Sequence, residues 1–406
     1  MSSFSKIDMG EVTGLTRAGR LGEAMALLRG GLSGGDVPTV DPDPNGGTVQ
    51  RSSTIDMTPP STPAGAWTAF GELDSPRADQ GATTAGEPDR PAMTQRLRER
   101  LAGLGSIARD VRKRRLSAPL AVPDGARFEE RTFSSAAGSR TYKIYVPSAY
   151  VGQPLPLVVM LHGCTQDPDD FAAGTRMNGI AEEQGFIVVY PRQDPSANPQ
   201  KCWNWFKPSD QRRGAGEPAL IVGIVQQTLD EFSADRSRVY VAGLSAGGAA
   251  AAVMAAAYSD LFAAIGVHSG LACGAASDIP SAFAAMAGRG AKSAGGARST
   301  VPTIVFHGDA DRTVHLVNAD QVIGQAKPTE TLRSEVTRGE SQGVAYTQSV
   351  QRDGEGRAVL EQWTLHGAGH AWSGGCADGS YADPRGPDAS REMVRFFLAH
   401  RRTQRS

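Results

Sequence analysis

A chain of 406 residues with 42 Lys+Arg against 43 Asp+Glu carries a formal charge of −1, which argues against a general nucleic-acid binder. At 40% hydrophobic and 21% charged residues the composition is globular and excludes a wholly disordered protein. No apolar run approaches the ~20 residues of a bilayer-spanning helix, and four cysteines are too few for a disulfide-built scaffold, so a hydrophobic core must carry the fold.

The composition splits near residue 125. The opening MSSFSKIDMGEVTGLTRAGR lacks the apolar core of a secretory signal peptide. Leu15, Leu21, Met25, Leu28 and Leu32 fall at helical spacing, predicting a short amphipathic helix over 15–32. Residues 33–91 hold nine of the 25 prolines with few apolar anchors, which predicts a flexible linker. A second helix is expected over 93–115, where Met93, Leu97, Leu101, Leu104, Ala108 and Val111 recur at steps of three or four among eight basic and two acidic residues. Such a basic face suits an anionic or apolar surface, such as a polymer granule, and equally suits ordinary solvation over a packed stripe. The expected organisation is an N-terminal extension, 1–125, and a folded domain, 126–402.

From residue 126 the pattern is α/β. FEERTFS and TYKIYV flank Gly138 as a hairpin would. PLPLVVML (154–161), GFIVVY (185–190), SRVYVAG (237–243), FAAIGVHS (262–269) and VPTIVFHG (301–308) are short apolar runs suited to strands buried on both faces. Helical patterns over 217–232 and 247–260 lie between them, and AVLEQWTL (358–365) and a helix over 388–400 close the unit. Alternating strands and helices predict a mostly parallel sheet with helices on both faces.

GLSAG (243–247) falls between a predicted strand and helix. G-x-S-x-G in that setting is a nucleophile elbow, holding Ser245 on a sharp turn with its hydroxyl exposed. A β-carbon at Gly243 or Gly247 is expected to collide with the tight backbone, and the following helix adds its positive end to the site. A serine nucleophile needs a base, and the base needs a carboxylate. In chain order, HGDADRTV (307–314) offers Asp311, deeper in its loop than the alternative Asp309. HGAGHAWSGG (366–375) offers His370, with His366 as competitor. The oxyanion is expected to be held by the backbone N–H of Ala246 and of Cys164 in HGCTQ (162–166), where His162 and Gly163 shape the turn. His268 reads as a strand-end histidine near the pocket floor, and His400 as a surface residue at a helix end.

HGCTQ, CWNW, GLSAG, HGDADRTV and GAGHAW, in this order, resemble the polyhydroxybutyrate depolymerase family of esterases in the α/β-hydrolase superfamily. The resemblance covers about residues 128–402. It implies an α/β-hydrolase fold, a Ser245–Asp311–His370 triad, oxyanion donors at Cys164 and Ala246, and hydrolysis of 3-hydroxyacyl or other short acyl esters without metal or organic cofactor. Acetylxylan and feruloyl esterases are related families. Secreted depolymerases of the family carry signal peptides and a separate polymer-adsorbing domain. Neither is seen in this sequence, so soluble oligomers or small esters are the expected substrates.

Trp203, Trp205 and Trp372 could wall an acyl pocket or simply pack in the core. Of the three ways to pair four cysteines, Cys164–Cys202 with Cys273–Cys376 is preferred, because Cys164 and Cys202 both flank site loops; in a reducing cytoplasm all four would stay thiols. No metal-ligand spacing occurs.

Overall fold

The computed structural model describes residues 57–58, 68–69, 120, 122–290 and 300–402. Both helices expected before residue 120 lie outside these. The chain divides after Pro88 into two units, each described by itself. In the first, β1 (Met57–Thr58) pairs antiparallel with β2 (Thr68–Ala69), inside the stretch expected to be a linker.

The second unit is built on a ten-stranded sheet. Six strands form its parallel centre: β5 (Leu157–Leu161), β6 (Ile187–Pro191), β7 (Val239–Leu244), β8 (Ala264–His268), β9 (Thr303–Gly308) and β12 (Ala358–Leu365). One edge carries the antiparallel hairpin β3 (Arg127–Ser135) and β4 (Gly138–Val146), the other the hairpin β10 (Arg333–Ser341) and β11 (Val344–Arg352). The spatial order is β10-β11-β12-β9-β8-β7-β5-β6-β4-β3.

Successive residues of a strand point to opposite faces, so a strand covered on both sides must be apolar throughout. In β5, Leu157, Val159 and Leu161 enter one core while Val158 and Met160 enter the other. Helices α3 (Gly216–Glu231), α4 (Ala246–Ala257), α5 (Ile279–Met286) and α6 (Val317–Ala326) cover the first face through Ile221, Ile224, Met254, Ala282, Ala285 and Val322. Helices α1 (Pro168–Thr175), α2 (Met177–Gln184) and α7 (Ala389–Leu398) cover the second through Phe171, Ile180, Met393 and Phe397. This is the α/β-hydrolase architecture expected from the sequence. The hairpin β10–β11 and helices α1, α2, α5 and α6 were not among the predicted elements. A final pair, β13 (Trp372–Ser373) with β14 (Ala382–Asp383), is parallel and stands apart from the main sheet.

Two expectations are corrected. His400 is not a surface residue: it is 8% exposed, its Nδ1 bonded to the carbonyl of Phe396 at 2.7 Å, because α7 packs its last turn inward. Cys164 and Cys202 form a disulfide, but Cys273 and Cys376 are both free thiols. Cys273 is buried beyond β8, its backbone held by Gln325, and Cys376 lies in a separate loop, its amide bonded to the carbonyl of Gly174.

Candidate active site

The carboxyl ends of the parallel strands form the rim where an α/β sheet gathers its chemistry. Ser245 occupies the single residue between β7 and α4, with φ 57° and ψ −118°. A non-glycine residue rarely adopts positive φ, and strain of this kind persists only where the surroundings impose it. They do so here. A β-carbon on Gly243 would lie 2.3 Å from the Gly247 carbonyl carbon, and one on Gly247 would lie 2.0 Å from the Leu161 carbonyl oxygen. The elbow therefore lies flush against the end of β5, and only glycines fit on either side. The Ser245 amide donates to the His268 carbonyl at 2.9 Å. Its hydroxyl does not cap the helix and has no hydrogen-bond partner among the described residues. The residue keeps 9% exposure, more enclosed than the motif suggests.

The loop after β5 runs beside the serine: a β-carbon on Gly163 would sit 3.7 Å from the Ser245 β-carbon. Among the described residues, neither the Cys164 nor the Ala246 N–H finds an acceptor in the protein. The serine thus has two backbone donors without an acceptor in its neighbouring segments, Ala246 as the first residue of α4 and Cys164 in the loop that runs beside it, and the positive end of α4 suits negative charge there. The loop is pinned by the Cys164–Cys202 disulfide and by Gln166, whose Oε1 accepts from the Gly163 amide at 2.9 Å and whose Nε2 donates to the Ser380 carbonyl, also at 2.9 Å.

The loops after β9 and β12 supply two carboxylate–imidazole pairs. His370 Nδ1 donates to Asp311 Oδ2 at 2.7 Å, and Asp311 Oδ1 accepts the amides of Thr313 and Val314, each at 2.9 Å. The Asp311 side chain is fully buried. Burial pushes its carboxyl up, but the hydrogen bond and charge of His370, with the Val314 amide, outweigh burial and hold it below the usual range. The competitors pair with each other: His366 Nδ1 donates to Asp309 Oδ2 at 2.8 Å. His366 Nε2 is already taken by the Thr347 hydroxyl at 2.9 Å, which leaves that imidazole no free nitrogen. His370 Nε2 is open among the described residues, and its side chain keeps 12% exposure, so it can accept a proton. The Ser245 hydroxyl and His370 are not hydrogen-bonded to each other; such contacts commonly close only with substrate bound.

Sequence reasoning passed over Gly308. A β-carbon there would lie 2.2 Å from the Ala368 carbonyl oxygen, which also accepts the Ala310 amide at 3.1 Å. The histidine loop crosses the aspartate loop at this glycine, and that crossing unites Asp311 with His370. A glycine closing a strand ahead of a loop was the available signal.

His268 fits its expected place beneath the site. Burial pushes its imidazole down to about 3, and it stacks between Phe306 and Trp372 at 5.8 and 5.2 Å. The tryptophans answer to the packing alternative. Trp203 and Trp372 are 0% and 1% exposed, with indole N–H groups donating to the His162 carbonyl and the Ser390 hydroxyl. They brace site loops from within the core and do not wall an open pocket. Trp205 keeps 6% exposure. Among the described residues no cluster of side chains could hold a metal ion, and no helix is long and apolar enough to cross a membrane.

This fold, with a strained serine at its elbow and a carboxylate-bound imidazole on the same rim, has the architecture of the α/β-hydrolase class. A family model described as esterase PHB depolymerase matches residues 140–334, a span that includes Ser245 and Asp311 and ends before His370. The chain is 34% identical over 254 residues to poly(3-hydroxyalkanoate) depolymerase C of Paucimonas lemoignei, covering 59% of this chain and 60% of that protein. It is 35% identical over 247 residues to feruloyl esterase B of Neurospora crassa, covering 56% of this chain and 81% of that protein. It is 34% identical over 154 residues to a probable acetylxylan esterase A of Neosartorya fischeri, covering 38% of this chain and 41% of that protein. The chain belongs to the PHB depolymerase family of esterases.

Proposed function

We propose that this protein hydrolyses 3-hydroxyacyl or other short acyl esters through a covalent acyl-enzyme, with Ser245, His370 and Asp311 as the catalytic triad. The observation that supports this reading is the strained Ser245, its hydroxyl without a hydrogen-bond partner among the described residues, on the rim that bears the buried Asp311–His370 pair.

In the first half-reaction His370 Nε2 takes the proton from Ser245 as its oxygen attacks the ester carbonyl. The N–H groups of Cys164 and Ala246 hold the oxyanion, and Asp311 steadies the imidazolium. The carbon–oxygen bond to the alcohol breaks, and the alcohol leaves with the proton from His370. Water then attacks the acyl-serine by the same sequence, releasing the acid and restoring the hydroxyl. Nothing in these steps calls on a metal or organic cofactor.

In the full chain, Ser245→Ala is expected to lower turnover of p-nitrophenyl butyrate at least ~10³-fold. Retained turnover in that variant would overturn the reading.

A carbohydrate-side activity is the second reading, favoured by the likeness to feruloyl esterase B across 81% of that protein. Comparing rates on hydroxybutyrate oligomers, methyl ferulate and acetylated xylan separates the two. Preference for the oligomers supports the first reading, and preference for either carbohydrate-type ester replaces it with the second.

A further inference from the structure

The candidate oxyanion loop contains a histidine that the reaction steps leave unused. His162 is 1% exposed and directly precedes the Gly163–Cys164 peptide. Its Nδ1 lies 2.8 Å from the Gly163 carbonyl oxygen, and its Nε2 accepts the Gln193 amide at 3.1 Å. A backbone amide can only donate, so Nε2 carries no proton, and Nδ1 must be the N–H that donates to Gly163. Burial pushes this imidazole down to about 4, so it stays neutral at working pH and the arrangement is single-valued.

The carbonyl that His162 holds shares one planar peptide unit with the Cys164 N–H. In a trans peptide, carbonyl and N–H point in opposite directions, so fixing one aims the other. No cis peptide bond occurs among the described residues. Gln193, which sets the tautomer, is itself held: its Oε1 accepts from Arg140 at 2.7 Å, and its Nε2 donates to the Cys202 carbonyl at 2.9 Å and to the buried Glu217. Glu217 in turn accepts the Asn204 amide at 2.8 Å. The tautomer, the disulfide loop and the peptide plane are thereby tied into one buried network.

We infer that His162 is a positioning residue that holds the Gly163–Cys164 peptide so that the Cys164 N–H faces the oxyanion formed at Ser245. This rests on the esterase reading above and adds to it the group that aims one of its two donors. His162 touches no reacting atom. Its effect should therefore fall on the transition state and leave ground-state binding alone.

The test compares His162→Leu, His162→Asn and His162→Gln in the full chain, with folding checked by circular dichroism. An asparagine amide reaches the Nδ1 position and can still donate to Gly163, whereas a glutamine amide reaches only the Nε2 position. With p-nitrophenyl butyrate, His162→Leu and His162→Gln are expected to lose about 10²-fold in kcat with KM changed less than about threefold, as loss of one oxyanion donor does. His162→Asn is expected within about fivefold of the wild type. Affinity for a trifluoromethyl ketone, which forms the tetrahedral oxyanion on the serine, should fall in step with kcat. If His162→Leu is not recovered folded, the comparison of Asn with Gln decides. The inference is overturned if Gln performs as well as Asn, or if kcat falls without loss of ketone affinity. Ser245→Ala retaining turnover removes the esterase reading and this inference together. An inactive Ser245→Ala beside unaffected His162 variants removes this inference alone.

Discussion

Two aspartate–histidine pairs stand within a few residues of each other, and their hydrogen bonds give them different chemistry. Asp311 is buried and leaves His370 Nε2 open, whereas Asp309 is bound to an imidazole whose second nitrogen is spent on Thr347. Asp311→Asn should therefore lower kcat for an aryl ester by roughly 10³–10⁴-fold, while Asp309→Asn should stay within about threefold. Equal losses in the two variants would show that the carboxylates had been assigned wrongly. At this scale the sequence pointed to candidates where a motif restricts the chemistry: GLSAG pointed to Ser245, and loop position favoured Asp311 and His370, which are hydrogen-bonded to each other. It was uninformative where a role depends on contacts far along the chain. Nothing local says that Trp203 braces a carbonyl 41 residues away, that His400 turns inward, or that Cys273 and Cys376 lie on unrelated loops.

The elements of the parallel centre were legible because a strand buried on both faces must be apolar throughout, a pattern that survives without any partner information. The hairpin β10–β11 was not. Its first strand, RSEVTRGES, is exposed along most of its length, so it pairs through its backbone and shows no apolar alternation to read. The charges of Arg333, Glu335, Arg338 and Glu340 along it suit an edge strand, where they discourage pairing with another sheet. The elbow makes a sharper prediction. Gly247→Ala drives a β-carbon to 2.0 Å from a backbone oxygen of β5, and should cost about 3 kcal/mol or more in urea denaturation, or prevent folding. The disulfide ties the Cys164 loop to the CWNW loop across 38 residues. The paired substitution Cys164→Ala with Cys202→Ala should cost up to ~4 kcal/mol of stability, and should lower kcat more than it alters KM if the loosened loop carries the proposed oxyanion donor.

At the scale of the whole molecule, the buried titratable groups set the direction of pH dependence. His162 and His268 are held neutral, at about 4 and about 3, against about 6.5 in an unfolded chain. Between those values the unfolded state binds a proton that the folded state refuses, so stability falls as pH drops below about 6.5, each group approaching ~1.4 kcal/mol per pH unit. Asp311 acts at lower pH. Its depressed carboxyl contributes stability above the unfolded carboxylate range, and that contribution is lost as pH falls through its folded value. Urea midpoints should thus be level from pH 8 to 7 and decline steadily from pH 6 to 4; a flat profile across that acid range would contradict the neutral burial of both histidines. The crossing at Gly308 has a consequence of its own. With the Ala368 carbonyl seated over that glycine and bonded to Ala310, the loops of Asp311 and His370 ride on a single stitched seam. A substitution that makes room for a bulkier substrate is therefore better tolerated in the disulfide-tethered loop beside the elbow than at this seam, where it would shift the Asp311–His370 pair.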